Sequence, residues 1–237
     1  MKPLMIMVTC NRLESTKLAL ASLQATTGPD ELELQIVDNG STDGTVEWFG
    51  TQDFSVDCLE ENVGCPQALN RVLEKWRKPG QHVIKLDNDV EILTPGWLPI
   101  WLDFLNNVPN VAMIGGFHRG MKEAVTTVLA YDYLRIASMG NFVLYSGAFM
   151  DHVGYFDVLA PNHLYGFEDN IMVAKAYALR WLLVVLKEVQ WEHRQSSWGP
   201  SYDKRKHIEE MRPLFNQRSQ ALGSGANIYT GPDGRHQ

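Results

Sequence analysis

The strongest constraint on this chain is a repeated switch of hydrophobic period across its first 89 residues, from short apolar runs to helical spacing and back. Residues 4–10 form a β-rich apolar run, and Leu13, Leu18, Leu20, Ala21 and Leu23 then recur at helical spacing over 13–25. Leu32–Val37 reads as a second strand. It ends in Asp38-Asn39-Gly40-Ser41, where Asn-Gly marks a tight turn and Ser41, Thr42 or Asp43 can cap a helix through Phe49. Ser55–Leu59, Pro66–Trp76 and His82–Leu86 continue as strand, helix and strand. Strands alternating with helices in this way imply right-handed crossovers and an α/β, Rossmann-like, mostly parallel sheet with helices on both faces. Sheets of this kind bind ligands at the carboxyl ends of their strands.

After Asp89 the pattern loosens. Thr94–Asn107 predicts a helix, Val111–Phe117 a strand, 118–139 a variable excursion, Phe142–Met150 another apolar stretch, Glu168–Leu179 a helix and Leu182–Val189 a strand. Beyond Trp198 the chain turns polar, with Lys204-Arg205-Lys206, and from Gly223 its Gly, Ser, Asn and Pro content reads as a flexible tail. No repeat or sharp boundary divides the chain, so a single domain over 1–200 followed by a basic segment and tail over 201–237 is expected.

Composition removes several function classes. Lys and Arg number 21 against 28 Asp and Glu, a net charge of −7, which argues against general nucleic-acid binding because phosphate neutralisation needs a basic surface. No apolar run approaches the roughly 18 residues of a membrane span, and the first residues, with no small-residue cleavage site, lead us to expect no secretion signal. Three cysteines, none in a CxxC spacing, fit a reducing, cytoplasmic setting.

Four polar motifs fall at or just beyond predicted strand ends: Thr9-Cys10-Asn11-Arg12, Asp38-Asn39-Gly40-Ser41, Asp87-Asn88-Asp89 and Gly166-Phe167-Glu168-Asp169. Asp-Asn-Gly-Ser alone is usually only a capped turn, and short acidic triplets are common in surface loops. Asp87-Asn88-Asp89 differs because apolar strand residues Val83, Ile84 and Leu86 deliver it and Val90-Glu91-Ile92-Leu93 follows. Carboxylates at such a strand end suit a hard divalent cation that bridges to a diphosphate. Asp89 is then the metal ligand, and Asp87 a ribose or neighbouring contact.

In this ordered series the sequence resembles the inverting family 2 enzymes of the type A glycosyltransferase fold, over roughly residues 3–198. The resemblance rests on Val8-Thr9-Cys10-Asn11-Arg12, Val37 to Gly44, Asn62-Val63-Gly64 before a helix containing Asn70, the aspartate triplet, Ser146-Gly147-Ala148, Gly154-Tyr155-Phe156-Asp157 and Phe167-Glu168-Asp169. It implies a nucleotide-sugar-binding half over 1–89 and an acceptor-binding, catalytic half over 90–200. Thr9, Asn11, Arg12, Asp38, Asn62, Gly64, Asp87 and Asn88 match the nucleotide-sugar site, with Asp38 as the base-contacting carboxylate. Asp169 matches the catalytic base, with Glu168 as its understudy. The sequence departs from many relatives at Asn39 and Asn170, where they place further acids.

A lone histidine is more often structural than a ligand, but His193 matches a late histidine that many members use on metal or diphosphate. Imidazole in a mixed oxygen and nitrogen site favours Mn²⁺ over Mg²⁺. Trp97 and Trp101, at helical spacing with leucines, read as core, whereas Tyr165 and Trp198 flank the acids and are acceptor-site candidates. Lys204, Arg205, Lys206, Arg212 and Arg218 read either as a diphosphate clamp or as a solvated helix face.

The resemblance implies a UDP-sugar donor, an acceptor hydroxyl on a saccharide, lipid carrier, protein or modified nucleobase, and inversion at the anomeric carbon. Two other readings compete. A sugar-1-phosphate nucleotidyltransferase needs a glycine-rich loop after the first strand, and Thr9 to Glu14 has no glycine. A non-catalytic nucleotide-sugar-binding protein has no use for the Glu168-Asp169 pair.

Overall fold

The computed structural model describes residues 1–119, 126–128, 131–134, 140–193, 203–225 and 228–235. The amino-terminal half follows the predicted alternation: β1 (Leu4–Thr9), α1 (Leu13–Thr26), β2 (Glu33–Asn39), α2 (Thr45–Phe49), β3 (Val56–Leu59), α3 (Cys65–Trp76) and β4 (Val83–Leu86). β1 pairs in parallel with β2 and β4, and β2 with β3. The central strand β1 is apolar on both sides because helices cover both faces. Leu4 and Ile6 face the side of α3, and Met5 and Met7 the side of α1, all fully buried.

The second half contains β5 (Val90–Ile92), α4 (Trp97–Asn107), β6 (Val111–His118), β7 (Thr126–Val128), β8 (Tyr131–Leu134), β9 (Phe142–Tyr145), α5 (Gly147–Val153), α6 (Glu168–Ala178), β10 (Leu182–His193) and α7 (Lys204–Gly223). The sheet order is β3-β2-β1-β4-β9-β6-β10-β8-β7, with β5 paired to β10. β9 runs antiparallel between β4 and β6, while β6 and β10 are parallel. The apolar stretch 142–150 divides into strand and helix because Ser146 accepts a hydrogen bond from Phe149 N and caps α5. β10 runs on through a register shift between Leu186 and Gln190, so Trp191 and His193 lie within the strand and not beyond it. Trp97 and Trp101 are fully buried core residues, as their spacing predicts.

The carboxy-terminal region differs from the expected flexible tail. α7 packs against α6, with the Phe167 and Phe215 rings stacked at 4.6 Å. Farther on, Thr230 forms an isolated bridge with Gly154. Asp157 ties these pieces together from inside the core: one oxygen accepts from Lys175 Nζ at 2.7 Å and from Thr230 Oγ1 at 2.6 Å, and the other pairs with Arg218. Composition alone reads this segment as solvated; a buried acid elsewhere in the chain recruits it. Among the described residues no helix is long and apolar enough to cross a membrane.

Candidate active site

The site forms where β1, β2, β4 and the start of α6 converge. Arg12 and Asn11 adopt left-handed backbone conformations just after β1. Asn11 N donates to Ser41 Oγ at 2.7 Å and Asn11 Oδ1 accepts from Thr42 N at 2.8 Å, joining the loops after β1 and β2. Asp38 is fully buried and takes Ser41 N at 2.8 Å and Ser41 Oγ at 2.6 Å. Burial pushes its carboxyl pKa up, against those two hydrogen bonds. Asp38 therefore shapes the loop and lines neither cavity described below, whereas its neighbour Asn39 lines one. Thr9 is likewise fully buried, and Asn88 Nδ2 donates to Thr9 Oγ1 and Thr16 Oγ1, both at 3.0 Å.

Asn62 Oδ1 accepts from Asn39 Nδ2 at 3.0 Å and from Gly64 N at 2.9 Å, which fixes the entry to α3. Gly64 has φ 99°, and a Cβ there would sit 2.1 Å from the His163 carbonyl oxygen. Glycine at this position lets two backbones approach closely. Gly64→Ala is expected to destabilise the fold by at least about 2–3 kcal/mol, by strain plus steric overlap. Chemical denaturation measures this, and a loss under about 0.5 kcal/mol would contradict it.

Beyond β4, Asp87 and Asp89 are held differently. Asp87 accepts from Asn141 Nδ2 at 2.8 Å and from Lys85 Nζ at 2.9 Å. Asp89 pairs with the Arg12 guanidinium, and its Oδ2 is 3.9 Å from His193 Nδ1. Two donors each about 2.1 Å from one small divalent ion lie no more than about 4.2 Å apart, so the Asp89–His193 spacing is within reach of such an ion, which would share Asp89 Oδ2 with Arg12 or take it over. No cluster of three such ligands occurs among the described residues, which leaves the rest of a shell to phosphate or water oxygens.

Glu168 and Asp169 occupy the first turn of α6, where the helix dipole favours carboxylates. Asp169 accepts from Tyr145 OH at 2.7 Å and from Lys85 Nζ at 2.9 Å. Burial, with Glu168 and Asp87 nearby, pushes its pKa up to about 6 against the pull of Lys85. Glu168 Oε2 is buried and has no hydrogen-bond partner among the described residues.

Two cavities adjoin here. The larger, about 560 Å³, is lined by Asp169, His118, Asn170 and Trp191 among others. The smaller, about 140 Å³, is lined by Arg12, Asn39, Asn62, Asn88, Asp89 and Lys204 among others. Asp87, Asn141, Tyr165, Glu168 and His193 line both. Asp89 thus opens onto one cavity and Asp169 onto the other, on two sides of a common wall. Lys204 Nζ lies 3.8 Å from the Tyr165 ring centroid. Burial and the Arg12 charge lower its pKa. Of the basic stretch, Lys204 alone lines a cavity among the described residues; Arg205 and Lys206 are exposed and Arg218 is buried. Trp198 lies outside the described residues.

The profile of glycosyl transferase family 2 matches residues 5–160 of the chain. The chain belongs to glycosyl transferase family 2. Its sheet has the type A glycosyltransferase fold, which solved structures share at low identity. TarS 1–349 of S. aureus is 19% identical with a TM-score of 0.63, the match covering 92% of this chain and 65% of that one. GalNAc-T7, solved with UDP, GalNAc and Mn²⁺, is 14% identical with a TM-score of 0.67, covering 93% and 50%. The mannosyltransferase PcManGT of Pyrobaculum calidifontis, solved with GDP-Man and Mn²⁺, is 18% identical with a TM-score of 0.61, covering 94% and 70%. The chain therefore spans about two thirds of the TarS fragment and half of GalNAc-T7. No curated protein matches it by sequence.

Within this family 2 chain, sequence reasoning passed over Lys85, Tyr145 and Asn141. Lys85 had a signal: it is a cation in the middle of an apolar strand, and a buried charge requires partners. Tyr145 and Asn141 become visible only through the antiparallel placement of β9 beside β4.

Proposed function

We propose that the protein transfers a sugar from a nucleoside diphosphate, UDP first, to an acceptor hydroxyl, with inversion at the anomeric carbon. The observation that carries this reading is the shared wall: Asp89, Arg12 and Lys204 on the smaller cavity, and Asp169 on the larger, meet across Asp87 and Glu168. The small cavity suits the diphosphate, whose charge Arg12 and Lys204 face, with Asn39 and Asn62 toward the nucleoside. Bound UDP in GalNAc-T7 and bound GDP-Man in PcManGT support a nucleotide sugar as donor. The large cavity suits the acceptor, with Tyr165 and Trp191 as ring faces.

Asp169 then accepts the proton of the attacking hydroxyl as the new C–O bond forms and the bond to the diphosphate breaks. Attack from the face opposite the leaving group gives inversion. Asp89 and His193 would hold Mn²⁺, or Mg²⁺, which supplies charge neutralisation on the departing diphosphate. The buried Glu168 Oε2, without a hydrogen-bond partner among the described residues, favours a second reading in which Glu168 is the proton acceptor.

Incubation with Mn²⁺ and a panel of nucleotide sugars, followed by release of free nucleoside diphosphate, tests the donor assignment. Asp89→Ala is expected to weaken UDP binding in Mn²⁺ by tenfold or more, about 1.4 kcal/mol, read by calorimetry. Unchanged binding would remove Asp89 from the metal site. Pyrophosphate released from a nucleoside triphosphate and a sugar phosphate would instead establish a nucleotidyltransferase.

A further inference from the structure

Lys85 is buried, with a side chain 5% exposed. It lies in β4 on the same face as Val83, because strand side chains alternate, and that face meets α6. Its Nζ stands 2.9 Å from Asp87 Oδ1 and 2.9 Å from Asp169 Oδ2, with Glu168 Oε1 at 4.0 Å. One cation thus joins the carboxylate after β4, on the wall of both cavities, to the carboxylate at the start of α6, on the larger one. Tyr145 OH fixes the other Asp169 oxygen from β9 at 2.7 Å.

We propose that Lys85 is the positioning residue of the site: it holds Asp169 ionised and aimed at the acceptor cavity, and couples its placement to Asp87 on the donor side. This rests on the transferase reading with Asp169 as proton acceptor. The argument is one of charge. Asp169 lies in a largely buried space beside the carboxylates Asp87 and Glu168, and without a cation there it would hold its proton more tightly. The groups facing Asp169 are Lys85 and Asp87 at β4, Tyr145 on β9, Glu168 on α6 and Cys65 at the start of α3. Lys85 is the one cation among them, and those carboxylates hold its own pKa well above the ordinary lysine value despite burial. It therefore remains a cation while Asp169 exchanges protons with substrate, and it does not compete as a base.

The test is the pH dependence of kcat/KM for Lys85→Met and Lys85→Arg, with a carbon-13 titration of the Asp169 carboxyl, assigned by its loss in Asp169→Asn. In Lys85→Met the acid limb and the carboxyl midpoint should both move up by about 1–2 pH units, with activity at neutral pH down about two- to tenfold and recovered as pH rises. Lys85→Arg should stay within about half a pH unit of wild type. A merely structural role lowers activity at every pH and leaves the midpoint where it was, which would overturn the proposal. Should Lys85→Met fail to fold, the wild-type titration decides: a midpoint below about 7 supports Lys85 in this role, and one at or above about 7 overturns it. The titration needs no substrate, so wild-type protein that moves no sugar from any donor would sink the transferase reading separately.

Discussion

Asp169→Asn is expected to bind UDP nearly as well as wild type while transfer to an acceptor falls by about 10²–10⁴-fold, the usual contribution of a positioned general base. The separation follows from the geometry, because Asp169 lines the larger cavity and not the smaller one. Asparagine cannot take the hydroxyl proton. It also cannot satisfy both present partners, since Tyr145 OH and Lys85 Nζ each donate to an Asp169 oxygen and an amide offers one acceptor oxygen. Thermal stability must therefore be measured beside activity. Glu168→Gln is the companion variant: the second reading requires the larger loss there, so the ratio of the two kcat values decides which carboxylate takes the proton. The wild-type protein adds a pH test. Asp169, pushed up to about 6 by burial, accepts a proton from substrate only when ionised. kcat/KM should hold above pH 6 and fall about tenfold per pH unit below it. A profile flat down to pH 4 would contradict the assignment.

The part of this arrangement legible in the sequence is the part carried by local chemistry. The period switch from strand to helix locates β1 to β4, the acids after β4 declare themselves because they terminate an apolar strand, and Glu168 and Asp169 because they open the helical run of α6. The less legible part depends on pairings between distant strands. β9 enters antiparallel between β4 and β6, and no local period announces which neighbours a strand will find. That insertion brings Tyr145 to Asp169 and Asn141 to Asp87. Asp38 and Thr9 show a related ambiguity: a polar residue at a strand end serves a ligand, its own loop or both, and these roles have the same local sequence. Here Ser41 and Asn88 lie close enough to engage them. The packing of α7 and of Thr230 onto the core is hidden for a third reason, since it comes from a buried partner, Asp157, and not from the composition of the segment itself.

That partner is the subject of the other large effect. Asp157→Ala is expected to destabilise the protein by about 3–5 kcal/mol, as when one member of a buried ion pair is removed and its partners stay behind. Two cations would remain, Lys175 with a side chain 0% exposed and Arg218 at 4%. In wild type, burial pushes the Asp157 carboxyl up, but Lys175, Thr230 and Arg218 outweigh it and hold the pKa below the ordinary value. Burial, with Arg218 adjacent, lowers the Lys175 pKa to about 8 despite Asp157. Both groups are charged at neutral pH, and removing Asp157 leaves Lys175 facing a cation in a dry site. The expected fall in thermal midpoint is roughly 6–20 °C, at about 2–4 °C per kcal/mol for a chain of this size. The sign of the pH effect is fixed too. A depressed carboxyl stabilises fully above its unfolded pKa, and that contribution disappears as pH falls through the folded one. Wild type should therefore lose stability more steeply than Asp157→Asn on acidification. Because Asp157 reaches α6 through Lys175, α7 through Arg218 and the last segment through Thr230, limited proteolysis of Asp157→Ala should cut first beyond residue 203, releasing the segment that brings Lys204 to the smaller cavity. A variant with an unchanged midpoint and no new cleavage there would show that helix packing alone holds the carboxy-terminal region.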